Sequence, residues 1–548
     1  MPLKGGRAPT LHALFLVALL SSLGCEDASL KRLGDTCQQE SECSSGRCDE
    51  LVCKSFDPHE EGETCVHNFE CGSEVCSVTS GVGLCDVGQR VLGGVCTADL
   101  QCSSASCVAG QCTATVADGA TDGSKDGGLP LDSSKDGAGI DADASPIPNP
   151  GEHLWHKTFG SAVLSESIRG VVMDDSGNIT IVGVFEDTFN LGSSDIVSEG
   201  NRDIFIASFT SEGLHRWQKS LGGSGDSYVR AVTVDARGHI TLTGYFQETV
   251  ELGGGSITSR GSDDIFITSF TADGVHRWQE RLGGAHEEQS VAIVADASGN
   301  ITLTGSYKGT INLGDGFVTS KGIDDIFITS FTADGSHRWQ KTMGGPENDR
   351  GQGVAVDGNG NVSVIGSFQG TSELSNGSVT SKGFYDIFIT SFTADGSHRW
   401  QKTISSPQDD SGQGVAADSN GNVTVVGAFT QTIDPGGGEI SCSGNIDIFI
   451  SSFTDAGVHR WQKALGGTGF VGSANADAVV TNDHGDITLI GDILGTIDLG
   501  GGNLTSLGWT DAFVTSFSAD GTHRWQQVWG GTGFDYCHAL AVGRGGVT

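Results

Sequence analysis

Between Gln289 and Gly345 the apolar and polar positions fall into four short runs separated by turn residues. Ser290–Ala295 (SVAIVA) is an apolar run closed by Asp296-Ala297-Ser298-Gly299. Asn300–Tyr307 (NITLTGSY) then alternates Ile301 and Leu303 with Thr302 and Thr304. Period-two alternation with β-branched residues predicts a strand, and the intervening D-x-x-G predicts a short hairpin loop. The Gly- and Ser-rich stretch Lys308–Ile323 predicts a small extra hairpin. Asp325–Thr332 (DIFITSFT) reads as a third strand, apolar on both faces through Ile326, Phe327, Ile328 and Phe331. An Asp334-Gly335 turn leads into a fourth, Ser336–Met343. A strand exposed on one side would alternate cleanly, so the third is expected between two layers.

This pattern recurs. The Trp of the fourth run is Trp339, and its counterparts are Trp155, Trp217, Trp278, Trp400, Trp461 and Trp525, at steps of 62, 61, 61, 61, 61 and 64 residues. A fixed period of this length marks a repeat architecture whose units shield one another from water. Four short antiparallel strands per unit with no helical period predict an all-β fold, a β-propeller of four-stranded blades. An immunoglobulin-like sandwich needs about 100 residues. His153–Phe159 reads as a lone fourth strand, and six full units follow it. Pairing it in one blade with Cys537–Val542 predicts a seven-bladed ring whose last blade is incomplete in this sequence; six blades is the alternative.

The units resemble the bacterial β-propeller repeats called SBBP repeats. The residues that carry the resemblance include Leu221-Gly222-Gly223, Asp357–Asn361, Thr241–Gly244, Asp264–Phe266 and Asp273–Trp278. It covers about 395 residues and implies a surface or interaction role with no activity attached.

Composition shifts sharply ahead of the repeats, which occupy 151–548. Lys4, Arg7 and the apolar Leu11–Leu20 read as an export signal (1–24), the apolar run being too short to span a bilayer. Ser22-Leu23-Gly24-Cys25 resembles a bacterial lipobox, with Ser22 where Leu is usual, and implies lipid attachment at Cys25 ahead of an anchor segment, 25–36. Three Cys quartets fill 37–112: Cys37, Cys43, Cys48 and Cys53; Cys65, Cys71, Cys76 and Cys85; Cys96, Cys102, Cys107 and Cys112. Their spacing does not suit zinc, and modules with so little core are expected to be disulfide-rich, in any of three connectivities per quartet. They resemble the short four-Cys repeats of bacterial surface lipoproteins and, more distantly, the N-terminal module of Dickkopf proteins. Residues 113–150, rich in Asp, Gly and Ser and without an aromatic, read as a disordered linker reaching roughly 35 Å root-mean-square.

A formal charge of −37 argues against nucleic-acid binding through phosphates. It favours solubility and leaves a Ca²⁺-dependent or cationic partner as the alternative; no cofactor is otherwise expected. The His before each Trp (His153, His215, His276, His337, His398, His459, His523) lies on the rim strand, so these side chains radiate and are read as packing groups, not metal ligands. The Asp opening each third strand (Asp203, Asp264, Asp325, Asp386, Asp447, Asp511) reads as a turn acceptor. His and Trp, two apart, are expected on one strand face. Cys442 and Cys537 are unmatched in the repeat and read as buried thiols, with a disulfide as the alternative.

The copies diverge in the loops entering each first strand. These carry Asp226, Glu287, Glu288, Glu347, Asp349, Asp409 and Asp410, the candidate ligand-loop acids. No G-x-S-x-G, H-E-x-x-H or P-loop is present, and the polar residues repeat where an enzyme would concentrate odd ones at the channel mouth. The expectation is a lipid-anchored, non-enzymatic binding or structural protein of the bacterial outer membrane or cell surface, contacting a protein or glycan and the membrane only through its anchor. An envelope assembly scaffold is the alternative, because D-G-x-x-x-W resembles the propeller lipoprotein of the outer-membrane barrel insertion machinery. A propeller lyase, hydrolase or quinoprotein is the third reading.

Overall fold

The computed structural model describes residues 154–160, 166–467 and 472–543, together with short strands between residues 48 and 113. The chain divides into two units, 1–139 and 140–548.

In the first unit the described backbone forms hairpins whose register sets Cys48 opposite Cys53, Cys76 opposite Cys85 and Cys107 opposite Cys112. The side chains of these cysteines, the signal segment, Cys25 and the linker lie outside the described residues.

In the second unit six four-stranded antiparallel sheets follow one another among the described residues. The first contains Ser167–Met173, Ile179–Phe185, Asp203–Phe209 and His215–Gly223. The last contains Ser473–Thr481, Ile487–Leu494, Asp511–Phe517 and His523–Trp529. Within each sheet the strands lie side by side in chain order, as the alternation predicts. The third strands are buried along their whole length, Asp325–Phe331 among them. Both faces are covered because neighbouring sheets share their cores. Ile204 and Ile206 of the first sheet cluster with Leu242, Phe246, Phe266 and Phe270 of the second. At roughly 1.5–3 kcal/mol per buried large apolar side chain, these shared layers are the main term holding the repeats together.

The Gly- and Ser-rich stretch forms the expected hairpin, for example Thr249–Glu251 with Ser256–Thr258. Its destination was not predicted. It pairs with the rim strand of the preceding sheet, Gly222 opposite Glu251 and Gly223 opposite Val250, and so bridges neighbours.

The first strands of all six sheets line one central channel, and residues 538–543 line it with them. The sheets are blades around an axis, with Cys537–Val542 in the seventh place. At that place residues 154–160 form no ladder, yet Phe159 packs on Phe209 at 5.7 Å and Trp155 Nε1 donates to Ser211 O at 2.8 Å. The outer segment thus makes a rim strand's contacts without its pairing.

Candidate functional site

The residues that repeat form the scaffold. Each third-strand Asp is buried and accepts the amide N–H four residues before it, as Asp325 Oδ2 does from Lys321 at 2.9 Å and Asp203 Oδ2 from Glu199 at 2.7 Å. Burial raises the Asp203, Asp264, Asp325 and Asp386 carboxyls. The glycine after Leu in L-G-G admits this group, since a Cβ on Gly222 would sit 1.9 Å from Asp203 Cγ.

Trp217, Trp278, Trp339, Trp400 and Trp461 each donate Nε1 to a carbonyl in the turn of the next blade, at 2.9–3.0 Å. Trp525 Nε1 is buried without a partner among the described residues. The Arg between His and Trp joins this clasp: Arg338 Nη1 donates to Ser330 Oγ at 3.0 Å and its Nη2 to Ala394 O at 2.8 Å, the carbonyl that Trp339 also uses.

The expectation that His and Trp share a strand face is overturned. A bulge at this Arg sets Ser330 opposite Trp339 and Phe331 opposite His337, so Trp and His point to opposite faces. His337 meets the Phe331 ring edge-on at 5.6 Å, and His215, His276, His398, His459 and His523 repeat that contact. Burial lowers the His276, His337, His398 and His523 imidazoles. His153 lies outside the described residues. Among the described residues no grouping of three or more His, Cys, Asp or Glu could hold a metal ion.

The loop acids separate into two sets. Glu288, Asp349 and Asp410 are buried inside their own loops, accepting the amides of Gly284, Gly345 and Ser406 at 3.1, 2.7 and 2.8 Å. Burial outweighs those hydrogen bonds and pushes their carboxyls up to about 8, 6 and 7. They brace the loops, and Asp410 also lines the groove beside Asp409. Glu287, Glu347 and Asp409 are exposed and Asp226 half-buried. Glu287 and Asp409 border grooves of about 370 and 310 Å³ between blades, and Arg350 and Gln352 line both grooves.

Sequence reasoning missed the channel mouth. Every first strand carries a bulge near its start, and the extra residue there is Arg169, Arg230, Val291, Gln352, Gln413 or Asp477. These six and His538 line one cavity of about 430 Å³, floored by valines such as Val232, Val354 and Val415. The seven are spaced by 61, 61, 61, 61, 64 and 61 residues. A column of the repeat that varies in chemistry from Arg to Val, Gln, Asp and His was the available signal. Odd polar residues do gather at the mouth, contrary to the expectation that the polar positions only repeat. Burial raises the Asp477 carboxyl to about 7, and neighbouring Asp492 adds to it. Cys537, half-buried and unpaired, is pushed up to about 11 by burial and by Asp477 and Asp492, so its thiol stays protonated at neutral pH.

A second non-repeating group lies beyond the mouth. The rings of Trp509, Phe534 and Tyr536 stand in sequence, nearly parallel, at centroid separations of 5.8 and 6.2 Å. All three are more than half exposed.

Blades sharing a channel define a β-propeller repeat protein. No family model matches the chain. It is 25% identical over 247 residues to an uncharacterized WD repeat-containing protein of Acanthamoeba polyphaga mimivirus, covering 37% of this chain and 17% of that protein's length. Among solved structures it is similar to the β-propeller domain of the Trilobed protease from Pyrococcus furiosus, with a TM-score of 0.34 at 8% identity over 67% of this chain and 93% of that one. It is also similar to the lignostilbene dioxygenase of Pseudomonas brassicacearum, TM-score 0.34 at 10% identity, 67% and 74% covered. Scores this low add nothing to the blades themselves, on which the fold assignment stands.

Proposed function

We propose that this is a non-enzymatic binding protein that meets its partner through the loop face around the channel mouth. The observation that carries the reading is a division of labour: positions that repeat hold the blades, and chemistry that does not repeat collects on that face. Exposed aromatic rings in a row favour a glycan as partner, because the apolar C–H faces of sugar rings lie flat on aromatic rings and an exposed apolar patch of this kind marks a contact site. Lys4, Arg7, Leu11–Leu20 and Cys25 support export and a lipid anchor at the bacterial surface, and the SBBP-like motifs support a surface role. In this reading the Arg169, Arg230, Asp477 and His538 side chains at the mouth serve recognition, and an enzyme built on those odd residues is the competing reading.

The full chain, probed on a glycan and protein array, is expected to bind glycans, and Trp509→Ala with Tyr536→Ala to abolish the signals from neutral glycans while leaving the melting temperature unchanged. Glycan signals unaffected by that pair would remove the aromatic row from the reading. Palmitate labelling lost in Cys25→Ala tests the anchor.

A further inference from the structure

We propose that the channel mouth is a separate binding site for a sugar acid, its carboxylate gripped between Arg169 and Arg230. The argument stands on the channel alone and does not depend on the aromatic row.

Other arginines of this acidic chain are spent on carboxylates or, like Arg338 and Arg460, on a Ser hydroxyl and a backbone carbonyl. Arg202 pairs with Glu186, Arg350 with Asp324, Arg399 with Asp455 and Arg524 with Asp486. Arg169 and Arg230, exposed side by side on neighbouring blades, have no carboxylate partner among the described residues. Arg230 is nevertheless held in place. Its guanidinium lies 5.3 Å from the centre of the Tyr245 ring, Tyr245 stacks on Tyr228 at 4.9 Å, and Arg202 Nη1 donates to the Tyr228 hydroxyl at 2.7 Å. A cation fixed by stacking and left without an anion has little ordering entropy to lose on binding one.

Elsewhere the mouth presents hydrogen-bonding groups. Gln352 is oriented by Ser367 Oγ, which donates to its Oε1 at 2.7 Å, and by its own Nε2 donating to Ser411 Oγ at 3.3 Å. Gln413 Oε1 is buried with no donor among the described residues, an acceptor free for a hydroxyl. Asp477 completes the asymmetry. When ionised, above about pH 7, it repels an anion from its side, and it accepts from hydroxyls, so the negative end of a ligand is directed toward the arginines. A cavity of about 430 Å³ is of monosaccharide-to-disaccharide scale, and the valines beneath it suit the apolar face of a sugar ring. A carboxylate at one end and hydroxyls over the rest is the chemistry that matches this lining.

Calorimetric titration of the full chain with D-glucuronate, D-glucose and inorganic phosphate tests the assignment. Glucuronate is expected to bind, with glucose and phosphate each at least about tenfold weaker, since charge-assisted hydrogen bonds and hydroxyl contacts both contribute. Arg169→Gln and Arg230→Gln should each weaken glucuronate about tenfold or more, and Asp477→Asn should strengthen it. Arg169 and Arg230 are exposed and Asp477 reaches into the open channel, and unchanged melting temperatures would show that the variants fold. The proposal is overturned if glucuronate fails to bind, if phosphate binds as tightly, or if the double Arg variant keeps full affinity. Trp509→Ala should leave glucuronate binding intact, which separates failure here from failure of the loop-face reading.

Discussion

A carboxylate in a variable, acidic loop reads in one dimension as surface, yet Glu288, Asp349 and Asp410 are almost wholly buried. What hides them is a local loop closure onto the amide four residues earlier, and nothing in residue type announces it. Their raised carboxyls have a measurable consequence. Because the folded-state pKa values (about 8, 6 and 7) lie above the unfolded value near 4, the folded chain holds more protons between roughly pH 4 and 8. The stability these groups give is therefore fully present below pH 4, is lost as pH rises through that window and is flat above it. Melting temperature is expected to fall from pH 5 to pH 8. General repulsion in an acidic chain acts in the same direction, so the deciding comparison is the triple variant Glu288→Gln, Asp349→Asn, Asp410→Asn, whose slope should be shallower. An unaltered slope would mean the three carboxyls are ionised in the folded chain.

At the scale of the strand, the Trp period was legible because it is long and nearly invariant, and the strands were legible because alternation survives in every copy. The clasp was not. A one-residue bulge at Arg338 leaves the H-x-W spacing unchanged while turning Trp339 and His337 to opposite faces, so a face assignment by counting fails there. The bulge also frees Arg338 to share the Ala394 carbonyl with Trp339, tying each blade to the next. Trp339→Phe keeps most of the packing and removes one hydrogen bond, so it should cost about 1 kcal/mol. Trp525→Phe should be neutral or slightly stabilising, since it removes a buried donor that has no acceptor. Urea midpoints at constant m-value measure both. Equal losses at the two positions would mean that Trp525 has an acceptor in solution.

Over the whole molecule, the ring explains why the site escaped a reading of single repeats. Each of the six sheets contributes one bulged residue to the mouth and His538 adds a seventh, and only the whole set has a character: two cations, two amides, one valine, one carboxylate and one imidazole. No repeat contains that site, so none could reveal it. Blade stacking and the acid surplus oppose one another at this scale. Apolar layers between neighbours are indifferent to salt, whereas the repulsion within a chain of charge −37 is screened beyond about 10 Å at 0.1 M. Raising NaCl from about 20 mM to about 0.5 M should therefore raise the melting temperature, with the steepest gain at the low end where the screening length changes most. The channel mouth should respond in the opposite sense. An attraction between Arg169, Arg230 and a carboxylate weakens as salt rises, so glucuronate affinity should fall over the range in which the fold strengthens. Stability and affinity rising together with salt would mean that the ligand is held by apolar contact with the valine floor and not by the arginines.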